Sequence, residues 1–410
     1  MLPLGPPPWH HEPMTDFART RSAFHLPEGI TYLDGNSLGP LPVAAEARVA
    51  AMLRDEWGAK LITGWNDAGW MAQPARIGDR IGRLIGAPAG TVVTGDTLSI
   101  KVYQALAAAL ALRPDRRVVL SDSGNFPTDL YMAEGLLRLM GGDYELRVVD
   151  PEAVEDALDD SVAALMLTQV DYRTGRMHDM AALTAAAHRA GAVAIWDLAH
   201  SAGAIEVDLA GAQADFAVGC TYKYLNSGPG GPAFIYVAPA HAETADPVLQ
   251  GWLGHAAPFA FDRDYRPGAG IERMRVGTPP VIQMAALEAA LDVWDGVRMA
   301  DVRARSVVLS ERFIAGVEAA CPALTLASPR DAALRGNQVS FRHPEGYAIM
   351  QALIAEGVIG DFRAPDILRF GITPLYLDEG DIDRAVSVLA RIMDGQLWDT
   401  PAFRTRKAVT

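Results

Sequence analysis

The chain has 410 residues, of which 50% are hydrophobic and 21% charged, and it carries a formal net charge of −14. A globular protein of this length is expected to form two domains, and its acidic excess gives it no general attraction to nucleic acid or anionic membranes. No apolar run reaches the roughly 18 residues that suggest a membrane span, and the two cysteines, Cys220 and Cys321, exclude a disulfide framework and match no metal-site spacing.

The chain begins with the Pro-rich segment MLPLGPPPWHHEP, which lacks the basic and apolar regions of a secretory signal. Together with the sparse cysteines, this predicts a reduced, cytoplasmic setting. We expect residues 1–54 to pack against the C-terminal part of the chain.

Residues 55–293 alternate short apolar strand patterns with helical ones, as expected for a larger domain. The predicted strands are 91–93, 117–120, 145–149, 162–167, 193–196, 216–218 and 234–237. The intervening helices are expected to end near residues 112, 139 and 190, the last before Gly191. This alternation predicts an α/β fold with a mostly parallel sheet covered on both faces. Ligands of such sheets bind beyond the carboxyl ends of the strands, so functional residues are expected there.

From residue 294 the pattern changes to that of a smaller α+β domain. A long helix is predicted over 297–320, followed by a strand in NQVSFRHP and a helix in GYAIMQALIAEG that ends at Gly357. Strands at 358–359 and in LRFGITPLY precede a last helix over 381–393.

Lys223 is the first candidate for chemistry. It stands in CTYKYLNSGPGGPAF, between an apolar run and a Gly-rich turn where the backbone can approach a ligand closely. A single lysine is usually an exposed, solvated charge. In a low-dielectric pocket, however, lysine loses its proton more readily and can attack an aldehyde. The context therefore favours a lysine that carries an aldehyde cofactor as a Schiff base.

Asp197 directly follows the apolar run AVAIW, where a carboxylate is costly unless it is paired. It either caps a helix in the following LAHSAGA or faces the protonated pyridine nitrogen of pyridoxal phosphate (PLP), keeping that ring an electron sink. His200 lies three residues further on. An aspartate after one strand and a lysine after the next, with a histidine between them, favour the PLP site.

A phosphate-binding element is also present in the pattern. Thr97, Leu98 and Ser99 open a helix after the first apolar strand, and a helix start offers free N–H groups and a hydroxyl to an oxyanion. An ordinary helix cap explains the same residues. The aromatic segment WNDAGW at 65–70 fits a wall of the substrate pocket and an aromatic core equally well.

Eight segments of the chain resemble kynureninase, a family of fold type I PLP enzymes related to aminotransferases. In chain order they are YLDGNSLGPLP (32–42), FPTD (126–129), VDYRTG (170–175), DLAHSAGA (197–204), YKYLNSGPGG (222–231), GWLGH (251–255), RVGTPP (275–280) and LRFGITPLY (368–376). FPTD and the pair formed by YKYLNSGPGG and GWLGH are the most distinctive. The resemblance implies a large PLP-binding domain with a seven-stranded sheet, a smaller C-terminal domain and a homodimer.

The resemblance also implies a role for each matching residue. Lys223, Tyr222 and Asp129 are expected to be catalytic. The expected cofactor-binding residues are Leu98 and Ser99 at the phosphate, Phe126 stacked on the pyridine ring, Asp129, Thr168, Asp197, His200, Tyr222 and Lys223 around it, and Trp252 and Thr278 from across the dimer interface. Substrate binding is assigned to Asn36, Ser37 and Arg369, the last as a bidentate clamp on the α-carboxylate. Lys101, near the phosphate helix, receives no role.

The implied reaction is hydrolysis of L-kynurenine to anthranilate and L-alanine. Thr278 favours the unhydroxylated substrate over 3-hydroxykynurenine, while tryptophan catabolism and NAD biosynthesis stay open as pathways. The alternatives are a cysteine desulfurase, an aminotransferase or a non-catalytic PLP-binding regulator. Cys220 and Cys321 are poorly placed for a desulfurase, and no basic helix-turn-helix pattern supports a regulator.

Overall fold

The computed structural model describes residues 14–406, so the Pro-rich segment at 1–13 lies outside the described residues. Its strands are β1 Thr31–Tyr32, β2 Val92–Thr94, β3 Val118–Asp122, β4 Glu145–Val149, β5 Val162–Thr168, β6 Val193–Asp197, β7 Phe216–Gly219, β8 Phe234–Val237, β9 Thr325–Leu326, β10 Gln338–Arg342, β11 Val358–Ile359, β12 Asp361–Arg363 and β13 Ile367–Gly371. Its helices are α1 Phe17–Ser22, α2 Val43–Ala51, α3 Gly64–Asp67, α4 Gln73–Leu84, α5 Leu98–Leu112, α6 Pro127–Met140, α7 Met180–Ala190, α8 Val281–Asp292, α9 Met299–Ala320, α10 Gly346–Ala355, α11 Glu379–Asp394 and α12 Pro401–Arg404. None of the helices in the described part of the chain is long and apolar enough to cross a membrane.

The seven strands predicted for the larger domain form one sheet in the order β2-β8-β7-β6-β5-β3-β4. The pairs β3–β4, β3–β5, β5–β6 and β6–β7 are parallel, whereas β8 is antiparallel to both β7 and β2. The predicted mostly parallel α/β sheet is therefore confirmed.

Both faces of this sheet are buried at its central strands β5 to β8, which are almost entirely apolar, whereas the edge strand β4 is only partly buried. In β6, Val193 and Ile195 pack with α5 and α6 on one face, whereas Ala194 and Trp196 join the core on the other face. The helices end where local signals predict: α7 terminates at Gly191, whose φ of +79° suits glycine. Polar residues beyond the strand ends are consequently held on a rigid frame.

The C-terminal part contains a second sheet, antiparallel, in the order β12-β13-β10-β9. The N-terminal segment joins this part, since β1 pairs in parallel with β11 and Thr20 Oγ1 donates to the Leu375 carbonyl at 2.8 Å. Helix α2 instead packs against α8. The cleft between the two sheets therefore receives residues from both ends of the chain.

Candidate active site

Two neighbouring parallel strands end at the site. Asp197 is the last residue of β6, and Lys223 follows the end of β7 at Gly219. Because Asp197 lies beside Val218 in the parallel pair, the segments after both strands leave the sheet at the same edge. Asp197 and Lys223 accordingly line one cleft.

The Lys223 amine lies among imidazole and aromatic side chains. Its Nζ donates to Nε2 of His200 at 3.1 Å and lies 5.9 Å from the ring centroids of Phe126 and of Tyr222. Burial and the charge of Lys223 lower the pKa of His200 well below its ordinary value, so the ring is neutral and accepts this bond. The Cys220 thiol and burial raise the pKa of the Tyr222 phenol, which keeps its proton.

Asp197 and Asp129 form a buried pair of carboxyl groups, with exposures of 3% and 1%. Oδ1 of Asp197 accepts the Ala199 N–H at 2.8 Å, whereas Oδ2 of Asp129 has no hydrogen-bond partner among the described residues. Burial raises the pKa of Asp197 to about 6, and burial with the charge of Asp197 raises that of Asp129 well above its usual range. The charge of Lys223 acts to lower both pKa values but does not offset burial, and the N–H of a protonated pyridine would supply a further positive partner.

The segment LAHSAGA after Asp197 forms a series of turns over 198–205 rather than a helix. The interpretation of Asp197 as a helix N-cap is therefore wrong. Its bond to the Ala199 N–H belongs to a turn.

The first turn of α5 faces the cleft through Leu98. Its N-cap residue, Thr97, has an extended backbone, and its side chain makes no capping hydrogen bond within the described residues. The N–H groups at the start of the helix are therefore not occupied by a cap. Ser99 is half-buried beside them. Free N–H groups and a hydroxyl at a helix start are the donors that a phosphate takes.

The cleft has a volume of about 180 Å³. It is lined by Asn36, Ser37, Leu98, Phe126, Asp197, Ala199, His200, Tyr222, Lys223, Arg363 and Arg369. All of these except Ala199 and Arg363 are candidates from the sequence. Asn36 is fully buried, and neither its amide nitrogen nor its amide oxygen has a hydrogen-bond partner among the described residues.

Arg369 is almost completely buried and largely engaged. Its Nε donates to Oδ1 of Asp361 at 2.7 Å, and one Nη2–H binds the second oxygen of that carboxylate. The other Nη2–H binds Ser37 Oγ at 2.7 Å, and one Nη1–H binds the Tyr172 carbonyl. One of the five guanidinium N–H groups is left. The expectation that Arg369 clamps a substrate carboxylate with two bonds is therefore corrected, because Asp361 occupies the Nε–Nη2 edge of the guanidinium.

Five candidates are not among the residues that line the cleft: Ser99 and Asp129, which lie beside it, and Thr168, Trp252 and Thr278. Thr168 ends β5 beside Asp197, and its hydroxyl donates to the Val170 carbonyl at 3.3 Å. Trp252 is 40% exposed and packs edge-on against Phe259, and Thr278 is exposed. Contact of Trp252 or Thr278 with an active site would require a second copy of the chain.

The aromatic segment 65–70 belongs to a small core. Trp70 is buried with Met52 and Ala285, meets Trp65 edge-on at 5.9 Å, and donates from Nε1 to Glu56 at 2.8 Å. These contacts favour the interpretation of the segment as an aromatic core over its interpretation as a wall of the substrate pocket.

Sequence reasoning missed Asp361 and Arg363, which lie on β12. No strand was predicted there because DFR is three residues long and polar at both ends. The available signal was two opposite charges at a spacing of two residues, close to the predicted strand that holds Arg369.

Comparisons with known proteins agree on the family. The family described as "Kynureninase C-terminal domain" matches residues 302–389. The chain is 51% identical over 400 residues to the kynureninase of Pseudomonas fluorescens, covering 96% of each chain.

Solved structures share the fold at low sequence identity. The apo cysteine desulfurase of Thermococcus onnurineus NA1 superposes with a TM-score of 0.78 at 16% identity, over 92% of this chain and 98% of that one. A mutant of C-DES with glycine covalently linked to its PLP cofactor gives 0.76 at 20% identity, over 90% and 98% of the two chains. These likenesses establish a fold type I architecture, and the sequence identity to the Pseudomonas enzyme, over nearly the whole of both chains, establishes that this chain belongs to the kynureninase family.

Proposed function

We propose that the chain is a PLP-dependent hydrolase that cleaves L-kynurenine into anthranilate and L-alanine. Family membership supports the reaction. The observation that carries the proposal is a single cleft that joins the Lys223 amine, the buried carboxylate of Asp197 and the guanidinium of Arg369. A nucleophilic amine, an anion for a ring nitrogen and a cation for a carboxylate are the groups that PLP chemistry on an amino acid requires.

The residues present fit PLP. Lys223 would hold the aldehyde carbon, Asp197 the pyridine nitrogen, and the first turn of α5 the phosphate. The unpartnered Oδ2 of Asp129 and the raised pKa values of the acid pair are what a site lacking its cationic ring would display. Bound PLP would withdraw electrons from the substrate, so that a proton can leave the α carbon and the bond beyond the β carbon can break.

The chain's own side chains would then move protons and exclude water. With the cofactor bound, the Lys223 amine would accept the proton that leaves the α carbon. His200, neutral and 3.1 Å away, accepts a hydrogen bond and holds the amine in place. Tyr222 keeps its proton and serves as a donor, since the pKa of its phenol is raised.

Substrate binding is assigned to the wall formed by Asn36, Ser37 and Arg369. Ser37 donates to Asp361 at 2.7 Å and accepts from Arg369, so its hydroxyl orients the guanidinium. The free amide of Asn36 offers a donor and an acceptor to the polar groups of kynurenine.

We further propose a cytoplasmic homodimer in which Trp252 and Thr278 reach the partner's cleft. The exposed aromatic residues Trp252, Phe259 and Phe261 support this arrangement, since they form an edge-to-face group on the surface. Thr278 favours kynurenine over its 3-hydroxy derivative. Tryptophan degradation follows from this substrate.

A desulfurase reaction is not supported by the thiols. Cys220 and Cys321 are both buried, and burial raises the pKa of each, that of Cys321 to about 11. A nucleophilic cysteine needs an accessible thiolate.

The test is a pair of lysine variants. Lys223→Ala should lose the visible chromophore and all release of anthranilate from kynurenine, followed by fluorescence, while remaining a folded dimer by gel filtration. Lys60→Ala, at a position that does not line the cleft, should keep both. Full activity in soluble Lys223→Ala protein would end the proposal, as would a wild-type protein that releases a keto acid instead of alanine and anthranilate.

A further inference from the structure

Three charged side chains share one face of the small sheet. Asp361 lies directly opposite Arg369 in the antiparallel pair β12–β13, so both side chains point the same way. Arg363 stands two residues after Asp361 on β12, and residues two apart in a strand share a face. Both arginines line the cleft as a result.

Asp361 is the common counter-ion of the two arginines. Its Oδ2 lies 2.7 Å from Arg363 Nη2 and also binds Arg369, and Ser37 donates to the same oxygen. The carboxylate is 1% exposed and is held by these three groups. One carboxylate between two guanidinium groups leaves a net positive charge at this wall of the cleft.

The other nearby acid adds little negative charge. Burial and the charge of Asp361 raise the pKa of Asp34 to about 7, and its Oδ1 has no partner among the described residues. Asp34 is therefore only partly ionised near neutral pH. The positive charge at the wall is not cancelled.

The two arginines differ in what they can still bind. Arg369 has one free N–H and a side-chain exposure of 2%. Arg363 has a side-chain exposure of 33%; Nη2 binds Asp361 and approaches Ser37 at 3.4 Å, and Nη1 donates to the Phe362 carbonyl at 3.2 Å. Its Nε–H and second Nη1–H have no acceptor within residues 14–406. The free donors of this wall therefore lie mainly on Arg363.

We propose that Arg363 is a substrate-binding residue that holds the α-carboxylate jointly with Arg369, with Asp361 fixing both guanidinium groups. This inference rests on the proposed function and names the residue that binds the carboxylate. The carboxylate receives the remaining Nη1–H of Arg369 and a charge-assisted bond from Arg363. Arg369 is buried and hydrogen-bonded to Asp361, Ser37 and the Tyr172 carbonyl, so its guanidinium is held in a fixed position.

The test compares ligands with and without the carboxylate on PLP-loaded enzyme. Arg363→Gln should raise the KM for L-kynurenine and the inhibition constant of L-alanine by about 10- to 100-fold, the range for a lost charge-assisted hydrogen bond. Binding of kynuramine, which has the same ring and amine but no carboxylate, should change less than about 2-fold, within the scatter of such measurements. Arg363→Lys should be intermediate, since it keeps the charge but not the planar fork.

Arg342→Gln is the matched control. Arg342 lies on strand β10 of the same sheet, has a side-chain exposure of 47% and lies 3.7 Å from Asp366 without lining the cleft. It should behave as wild type with every ligand.

Two results would overturn the inference: unchanged kynurenine and alanine constants in Arg363→Gln, or an equal loss of kynuramine binding. The second would indicate that Arg363 only maintains the shape of the site. A wild-type enzyme without kynurenine turnover would instead refute the proposed function, and the alanine titration of its visible spectrum would still test Arg363.

Discussion

Asp197→Asn is expected to stabilise the cofactor-free protein at pH 8 while weakening PLP binding. Burial raises the pKa of Asp197 from 3.8 to about 6, and at roughly 1.4 kcal/mol per unit this shift corresponds to about 3 kcal/mol. The pKa of Asp197 in the folded state lies above its pKa in the unfolded state. The destabilisation of the folded state by this buried charge is therefore absent at a pH below both values, grows between them and is complete above about pH 6. Asparagine removes the charge and keeps an oxygen for the Ala199 N–H.

The assay is urea unfolding of the apo-protein at pH 8 and at pH 5, followed by tryptophan fluorescence. The variant should gain about 3 kcal/mol at pH 8, and less at pH 5. Asp215→Asn is the control of opposite sign: burial acts to raise the pKa of Asp215, but hydrogen bonds from His241, the Ala194 N–H and His188 outweigh it and lower the pKa. That variant should be destabilised at pH 8. Equal destabilisation of both variants at pH 8 would refute the reasoning that burial of the Asp197 charge outweighs the groups that stabilise it.

Three further variants test the supporting contacts. Lys101, in the first turn of α5, has a buried ammonium group that binds Asp96 at 3.1 Å. Lys101→Met should weaken the binding of PLP by roughly 10-fold in equilibrium dialysis and leave the binding of pyridoxal unchanged. Gly371→Ala places a Cβ 2.2 Å from Asn36 Oδ1, so the KM for kynurenine should rise while the cofactor spectrum stays unchanged. Asp361→Asn leaves a buried guanidinium without its counter-ion and should cost about 3–5 kcal/mol in urea unfolding.

For each of these variants, one result would contradict the role assigned to the contact that it removes. A Lys101→Met protein that loses pyridoxal as strongly as PLP would show general damage rather than a misplaced phosphate site. An unchanged KM in Gly371→Ala would remove Asn36 from the substrate wall. Asp361→Asn should be compared with Asp383→Asn, which breaks an exposed ion pair with Arg312 at 2.6 Å and should leave the urea midpoint nearly unchanged.

The fold was largely predictable because the central strands of its large sheet are apolar on both faces. Runs such as Val193–Asp197 need no knowledge of their neighbours to be recognised, and strand–helix alternation then implies a parallel sheet. The short polar strand β12 carries no such signal. Its pairing with β13 depends on tertiary register, so the contact between Asp361 and Arg369 could not be derived from spacing.

In the candidate site too, some residues were predictable from the sequence and others depend on tertiary contacts. Asp197 and Lys223 were predictable because they lie at or shortly after the ends of two neighbouring apolar strands of one sheet. The pairing of Asp129 with Asp197 was not, since it depends on how the first turn of α6 packs beside the end of β6. The proposed contact of Trp252 and Thr278 with a second subunit cannot be derived from spacing along one chain.

The most direct measurement is to locate the borohydride-reduced cofactor in the purified protein. The chain has four lysines, Lys60, Lys101, Lys223 and Lys407, so peptide mass spectrometry after reduction can assign the adduct to one of them. A pyridoxyl adduct on Lys223 alone, with loss of the visible band, is the predicted result. An adduct on another lysine, or a protein that takes up PLP without any reducible bond, would contradict the proposed active site.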